Sequence, residues 1–165
     1  MTTEVVLALG SNLGDRAATI RSAIAAIAEL PTFSIERVSD LYESAALTQS
    51  GISRTEPRYL NLVAVGRCVQ NAHELLSQLQ EIELQHGRTR SSRWAARTLD
   101  IDIIKYGELS IAGDELIVPH PEAGKRAFVV VPWLAIQPDA ELPGIGKLSC
   151  LRDSYSADLS LYQEP

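Results

Sequence analysis

Residues 99–106 read Leu99-Asp100-Ile101-Asp102-Ile103-Ile104-Lys105-Tyr106, and the first five alternate between apolar and acidic side chains. A period of two predicts a β-strand with one buried face, so Asp100 and Asp102 point together to the other face. Two neighbouring carboxylates repel each other unless a cation compensates them, and Mg²⁺ prefers oxygen ligands of this kind. The stretch is therefore a candidate metal-binding strand, although a solvated polar face is the commoner reason for an isolated Asp-x-Asp pair.

A basic segment precedes this strand. Residues 88–97 contain Arg88, Arg90, Arg93 and Arg97 and no acidic residue. Guanidinium groups stay charged and bind phosphates in a bidentate manner, so a basic loop next to a metal-binding strand is typical of phosphoryl transfer. The alternative is a solvated loop, but Trp94 argues against it because an indole in a polar loop is costly unless it packs on a flat partner.

The rest of the chain predicts a mixed fold. Periodicity predicts strands at 5–9, 33–42, 59–69 and 99–106, helices at 17–30, 72–86 and 125–135, and a hairpin within 109–118. We expect the last helix to be interrupted or ended near Pro132. Residues 43–58 and 88–97 have no period; loops of this length are usually functional or disordered, and we expect two long active-site loops. This order predicts an α+β fold, a ferredoxin-like antiparallel sheet with helices packed on it, in one domain covering residues 1–165.

Composition excludes several functional classes. The 165 residues include 15 Lys and Arg against 21 Asp and Glu, so the net charge is −6. An acidic chain is a poor candidate for nucleic-acid or membrane-surface binding, and the local arginine cluster indicates a small polyanion as the ligand. The N-terminus does not resemble a signal peptide, and the spacing of Cys68 and Cys150 does not resemble a metal site or a disulfide framework. We expect a cytoplasmic monomer.

The predicted strand at 59–69 begins with Tyr59-Leu60-Asn61. Tyr59 and Asn61 share a face, and an aromatic ring beside a carboxamide suits a flat heterocycle with mixed hydrogen-bond donors and acceptors. A strand residue and a turn residue without a ligand explain the same pattern. The chain has neither a Gly-x-Gly-x-x-Gly nor a Walker A motif, so a nucleotide would be held by side chains and a metal.

Several motifs together resemble the 6-hydroxymethyl-7,8-dihydropterin pyrophosphokinase family. The most specific is Arg93-Trp94-Ala95-Ala96-Arg97-Thr98-Leu99-Asp100-Ile101-Asp102-Ile103. The others are Gly10-Ser11-Asn12-Leu13, Tyr59-Leu60-Asn61, Glu83-Leu84-Gln85 before Gly87-Arg88, and Pro119-His120-Pro121 followed by Arg126 and Phe128. They keep the order and spacing of the family over nearly the whole chain.

The resemblance implies transfer of diphosphate from ATP to the hydroxymethyl group of the dihydropterin, with release of AMP. Asp100 and Asp102 would hold two Mg²⁺ ions, and Arg88 and Arg97 would act on the phosphates. Residues implied at the pterin are Ser44, Leu47, Tyr59, Asn61, Trp94 and Phe128. Residues implied at the nucleotide are Gln80, Glu83, Arg88, Arg93, Arg97, Ile103, His120 and Arg126. Another two-metal phosphoryl or nucleotidyl transferase and a non-catalytic nucleotide-binding module remain as alternatives.

Overall fold

The structure is a computed structural model that describes residues 1–48, 51–53, 55, 57–87, 98–155 and 158–165. The strands are β1 (Thr3–Ser11), β2 (Phe33–Val38), β3 (Tyr42–Ser44), β4 (Ala46–Thr48), β5 (Gly51–Ser53), β6 (Tyr59–Cys68), β7 (Asp100–Tyr106), β8 (Ile111–Ala112), β9 (Ile117–Val118), β10 (Glu141–Leu142), β11 (Gly146–Lys147) and β12 (Leu159–Leu161). The α-helices are α1 (Arg16–Ala28), α2 (Ala72–Gln85) and α3 (Ala127–Ile136), and two 3₁₀ helices cover Ala123–Lys125 and Leu148–Ser154.

Six strands form the main antiparallel sheet. Its order is β12-β3-β6-β1-β7. β2 and β3 pair with the same edge of β6, β2 with residues 64–68 and β3 with residues 59–61. Reading only the long strands gives β7-β1-β6-β2, which is the ferredoxin-like order of two crossed β-α-β units. The predicted α+β fold is confirmed.

The two faces of the sheet pack against different helices. In β1, Val5, Leu7 and Leu9 point to the core shared with α1 and α2, whereas Val6 points to a second core shared with α3. Alternation along the strand explains this division, since neighbouring side chains of a strand lie on opposite faces. The sheet is therefore covered on both faces, and any site must lie where one covering layer stops.

The two long helices begin and end at residues suited to those positions. Asp15 accepts a hydrogen bond from the Ala18 N–H at the start of α1. Asn71 and Glu74 form a reciprocal capping box at the start of α2, and Gly87 follows the end of α2 with a φ of +81°. A positive φ is accessible to glycine without strain, which explains why the helix stops there.

Three predictions about local structure were wrong. Residues 43–58 are not one irregular loop, because they contain the end of β3 and an antiparallel β4–β5 hairpin. Residues 33–42 do not form one strand, because β2 ends at Val38 and β3 begins only at Tyr42. Between these strands, the Ser39 side chain accepts a hydrogen bond from the Val63 N–H. The last helix is not ended by Pro132, which lies buried inside α3. The hairpin predicted within 109–118 is confirmed by the pairing of β8 and β9.

Candidate active site

The two carboxylates lie on the same face of β7. Asp100 and Asp102 are half-buried, whereas Leu99, Ile101 and Ile103 are buried in the core on the opposite face. Since Ile104 belongs to the core with α3, the carboxylates lie on the α3 side of the sheet. The alternation predicted from the sequence is confirmed.

Asn61, Gly10 and Asp100 form a row across three neighbouring strands. Gly10 of β1 pairs with Asn61 of β6 on one side and with Asp100 of β7 on the other. Strands lie about 4.8 Å apart, so the carboxamide and the carboxylate are separated by roughly 10 Å of bare backbone. A Cβ on Gly10 would lie 3.5 Å from both Asn61 Oδ1 and Tyr59 Cδ1, so glycine leaves an open floor between the two polar groups.

The orientation of the Asn61 amide is fixed by its surroundings. Asn61 is buried, and its Nδ2 donates to Ser44 Oγ at 2.9 Å and to the Tyr42 carbonyl at 3.3 Å. With both amide hydrogens engaged, Oδ1 faces the floor at Gly10 as an acceptor. Tyr59 pairs with Ser44 and lies at the same end of β6, so these three predicted pterin residues come together.

A guanidinium and an imidazole border Asp102 on the other side. Arg126 Nη1 lies 4.0 Å and His120 Nε2 lies 3.9 Å from Asp102 Oδ2. The Arg126 guanidinium also lies over the Phe128 ring, 5.6 Å from its centroid, which joins the first turn of α3 to the acidic strand. Arg126 Nε is buried, and no described group accepts a hydrogen bond from it.

The His120 ring is held in one tautomer. Its backbone N–H donates to the Ile104 carbonyl at 2.9 Å, and its Nδ1 accepts from the Glu122 N–H at 3.1 Å. Burial, helped by the Arg126 charge, lowers the pKa of His120 below 6.5 against the opposing effect of Asp100 and Glu122. Because Nδ1 accepts the hydrogen bond from Glu122, the neutral form of the ring carries its proton on Nε2, which faces Asp102.

Two residues assigned to the nucleotide have side chains turned away from the acidic face. Ile103 is only 3% exposed and packs in the core with α1 and α2. Glu83, also 3% exposed, accepts a hydrogen bond from the Ile101 N–H at 2.8 Å. This bond shows that the main-chain groups of Ile101 point outward from β7, and those of Ile103 do so as well. Contact between Ile103 and a ligand is thus limited to its main chain.

The remaining predicted residues are only partly described. Gln80 is half-buried on α2, and Leu47 lies on β4, where only its main chain is described. Arg88, Arg93, Trp94 and Arg97 lie outside the described residues. The sequence reasoning did not assign Gly10 to the site, although the Gly10-Ser11-Asn12 motif marked it.

The described donor set suits a divalent cation that brings further ligands with it. No group of three or more His, Cys, Asp or Glu residues positioned for a metal occurs within the described ranges. Mg²⁺ is commonly held by one or two carboxylates together with water and substrate phosphates, and it rarely occupies a site made of protein ligands alone. Asp100 and Asp102 match this pattern. The neighbouring Arg126 suits the phosphates themselves.

An acidic pair and a guanidinium beside a polar, flat floor on an α+β sandwich are typical of transferases that act on phosphate esters and anhydrides. Residues 6–138 match the family model described as 7,8-dihydro-6-hydroxymethylpterin-pyrophosphokinase. The chain belongs to this family.

Individual relatives agree with this assignment. The 2-amino-4-hydroxy-6-hydroxymethyldihydropteridine pyrophosphokinase of Pseudomonas aeruginosa is 40% identical over 143 residues, which cover 87% of this chain and 86% of the relative. The Bacillus subtilis protein of the same name is 36% identical over 130 residues, covering 79% and 75%. The crystal structure of Plasmodium falciparum HPPK-DHPS with pteroate shares the fold, with a TM-score of 0.72 and 16% identity over 94% of this chain. This chain spans 42% of that structure's length.

No helix within the described ranges has the length and apolar character needed to cross a membrane.

Proposed function

We propose that this protein transfers diphosphate from ATP to the hydroxymethyl group of 6-hydroxymethyl-7,8-dihydropterin, releasing AMP, in folate biosynthesis. The observation that carries the proposal is the row Asn61–Gly10–Asp100, because the open floor at Gly10 between the Asn61 amide and the acidic pair would accommodate a pterin. Membership of the family supplies the reaction that such a row would serve.

The pterin would lie on the floor at Gly10. Asn61 Oδ1 would accept a hydrogen bond from the ring, while Tyr59 and Phe128, and Trp94 from outside the described residues, would cover its faces. Ser44 would hold the amide of Asn61, and Leu47 would contribute from β4. In this position the hydroxymethyl group would face Asp100.

The nucleotide would lie along β7 toward α3. Arg126 and the Nε2–H of His120 would bind phosphate oxygens near Asp102, and the outward main chain of Ile103 would be available to the base. Glu83 would act by holding β7, with Gln80 next to it on α2. Arg88, Arg93 and Arg97 would supply the positive charge that phosphoryl transfer requires.

Asp100 and Asp102 would hold Mg²⁺, two ions by family resemblance, which would neutralise phosphate charge and lower the pKa of the attacking hydroxyl. In the reaction the hydroxyl oxygen forms a bond to the β-phosphorus, the bond between that phosphorus and the oxygen bridging it to the α-phosphorus breaks, and AMP leaves with the bridging oxygen. The hydroxyl proton would be accepted by Asp100 or by solvent. The arginines would stabilise the charge that develops on the transferred group.

We also propose a cytoplasmic location. Cys68 and Cys150 are both free thiols, and Cys150 is exposed, which suits a reducing compartment.

The direct test is AMP release from ATP, Mg²⁺ and 6-hydroxymethyl-7,8-dihydropterin. We expect AMP only when all three are present, and the variant Asp102→Ala should lose turnover because the remaining carboxylate cannot hold the metal alone. Wild-type rates in Asp102→Ala would remove the metal hypothesis. A different phosphoryl transferase would form AMP or another product without the pterin, and a binding module would form none.

A further inference from the structure

Four charged side chains form a network beneath the candidate site, on the opposite face of the sheet. Glu43 of β3 pairs with Leu60, whose side chain lies in the core with α1 and α2, so the Glu43 carboxylate lies on that side. Glu43 Oε2 is 2.9 Å from Arg16 Nη1, and Glu43 Oε1 is 3.4 Å from Arg58 Nε. Arg58 Nη2 in turn donates to Asp158 Oδ1 at 3.2 Å. We call Arg16, Glu43, Arg58 and Asp158 the charge network.

The charge network closes the segment that carries the pterin side of the site. Glu43 immediately precedes Ser44, and Arg58 immediately precedes Tyr59, so the Glu43–Arg58 ion pair joins the two ends of residues 44–57. Arg16 Nη1 strengthens this junction by also donating to the Arg58 carbonyl at 2.9 Å. The base of the β4–β5 hairpin is therefore held by this ion pair together with the strand pairing of Ser44 with Tyr59.

The C-terminal segment supplies part of the same junction. Strand β12 pairs with β3, with Leu159 opposite Ser44, and the Tyr162 N–H donates to the Leu41 carbonyl at 2.9 Å. The Tyr162 ring lies under the Arg16 guanidinium at 5.8 Å. Residues more than 100 positions away in the sequence thus hold the strand that carries Ser44.

The ion pairs of the charge network are partly shielded from solvent. The four side chains are 23–39% exposed, so each ion pair should make only the modest contribution typical of partly exposed pairs. Asp158 Oδ2 is buried and accepts no hydrogen bond from any described group. Arg58 stands between two carboxylates, so its removal would leave both without their shared cation.

We propose that Arg58, held by Glu43 and by Asp158 of the C-terminal segment, is a positioning residue for the dihydropterin. This inference rests on the proposed function. Arg58 acts through its neighbours: it fixes the ends of residues 44–57, which keeps Ser44 against Asn61 and so keeps Asn61 Oδ1 directed at the floor. The network touches neither carboxylate of the metal-binding pair, so its loss should affect pterin binding rather than nucleotide binding.

The test uses Glu43→Gln and Asp158→Asn, which remove charge with little change of shape, in the full chain. Asp158→Glu serves as the conservative variant expected to restore function. The matched control is Glu36→Gln, because Glu36 pairs with Arg67 of β6 at the same 3.4 Å Nε–Oε1 distance but at the far end of the strand. The readouts are KM for each substrate, kcat, and amide hydrogen exchange of β4 and β5 without substrates.

We expect Glu43→Gln and Asp158→Asn to raise KM for the dihydropterin about fivefold, the equivalent of one partly exposed ion pair. The KM for ATP and kcat should stay unchanged, amide exchange of β4 and β5 should accelerate, and Glu36→Gln should change none of these. Unchanged exchange and unchanged KM in both network variants would overturn the inference, and so would an equal effect on both substrates.

The two proposals fail in different ways. If the wild-type protein releases no AMP, the proposed function fails, and binding of a pterin measured by fluorescence then replaces KM in the same comparison of variants. If the wild-type protein is active and a network variant does not fold, Arg58→Lys keeps the charge and tests the junction more gently. We expect Arg58→Lys to raise the KM for the dihydropterin, because an ammonium group cannot bridge two carboxylates as the planar guanidinium does. A wild-type KM in this variant, with unchanged amide exchange in β4 and β5, would contradict the positioning role.

Discussion

Gly10 is the residue whose replacement separates binding from folding most sharply. A Cβ there would lie 3.5 Å from Asn61 Oδ1 and Tyr59 Cδ1, which is ordinary van der Waals contact, and its φ is not positive. We expect Gly10→Ala to keep or slightly raise the melting temperature, because alanine restricts the unfolded chain. The added methyl group fills the proposed pterin floor, so KM for the dihydropterin should rise at least tenfold while ATP binding persists.

Gly66 provides the matched control for that substitution. A Cβ on Gly66 of β6 would lie 2.5 Å from the Ser34 carbonyl oxygen and 2.5 Å from the Phe33 ring, so the backbone of β2 would have to move. Gly66→Ala should therefore destabilise the fold by about 1–3 kcal/mol, measured by urea unfolding, with little effect on KM in the folded fraction. A stable Gly10→Ala variant with unchanged KM for the dihydropterin would contradict the proposed floor.

Tyr106 predicts a specific weakness at alkaline pH. Burial, with a smaller contribution from the neighbouring Cys68, raises the pKa of Tyr106 to about 12 from 10.0, and the Tyr106 hydroxyl donates a hydrogen bond to the Gln70 carbonyl. Above pH 10 the unfolded chain loses this proton while the folded chain keeps it, so the unfolded state binds fewer protons and stability falls as pH rises toward 12. Tyr106→Phe should lose less stability than the wild type between pH 10 and 12, as measured by urea unfolding at several pH values. An identical pH profile in the two proteins would show that Tyr106 does not cause the loss.

At the scale of elements, β7 depends on a side chain from α2. β7 lies at the edge of the sheet, and Glu83 accepts a hydrogen bond from its outward Ile101 N–H within the core. Glu83→Ala would leave that buried N–H without its partner, which should lower the free energy of unfolding by about 1–3 kcal/mol. Glu83→Gln keeps an acceptor oxygen and should cost less. Equal stability of the alanine and glutamine variants would mean that the hydrogen bond does not hold β7.

The same scale shows what the sequence could predict of the fold. β1, α1, β6, α2 and β7 each span enough residues for a period of 2 or 3.6 to emerge, and Asp15 and Gly87 mark helix ends by local chemistry. The strands β4, β5, β10 and β11 have two or three residues, too few to show a period. β12 pairs with a strand more than 100 positions earlier, and a local sequence pattern cannot predict a partner so far away.

The residues of the candidate site also differ in whether a local sequence pattern could predict their position. Asp100 and Asp102 could be assigned to one face of β7, and Tyr59 and Asn61 to one face of β6, because the parity of a strand decides which side chains point the same way. The charge network could not, since Arg58 and Asp158 are 100 positions apart and meet only after the sheet has formed. The prediction at Pro132 was wrong because the helix penalty of proline is a local rule, whereas the burial of Pro132 within α3 depends on tertiary packing.

For the whole molecule, the single-domain organisation over residues 1–165 remains a prediction with a sharp test. The two cores lie on opposite faces of one sheet and share its strands: β1 supplies Leu7 to the first and Val6 to the second, and β7 supplies Ile103 and Ile104 in the same way. Unfolding either core would expose half of every shared strand. We therefore expect both cores to unfold in one cooperative transition.

Trp133 makes that transition measurable for the second core alone. It is fully buried in the α3 core and donates through Nε1 to Gln137 Oε1 at 2.7 Å, and the only other tryptophan is Trp94. In the Trp94→Phe variant, urea midpoints followed by Trp133 fluorescence and by far-ultraviolet circular dichroism should coincide, because dichroism is dominated by α1 and α2 of the first core. An earlier fluorescence midpoint would mean that α3 detaches from the sheet before the sheet unfolds. The proposed site combines Asp102 on β7 with Arg126 at the start of α3. Detachment of α3 would therefore abolish activity at urea concentrations where the first core is still folded.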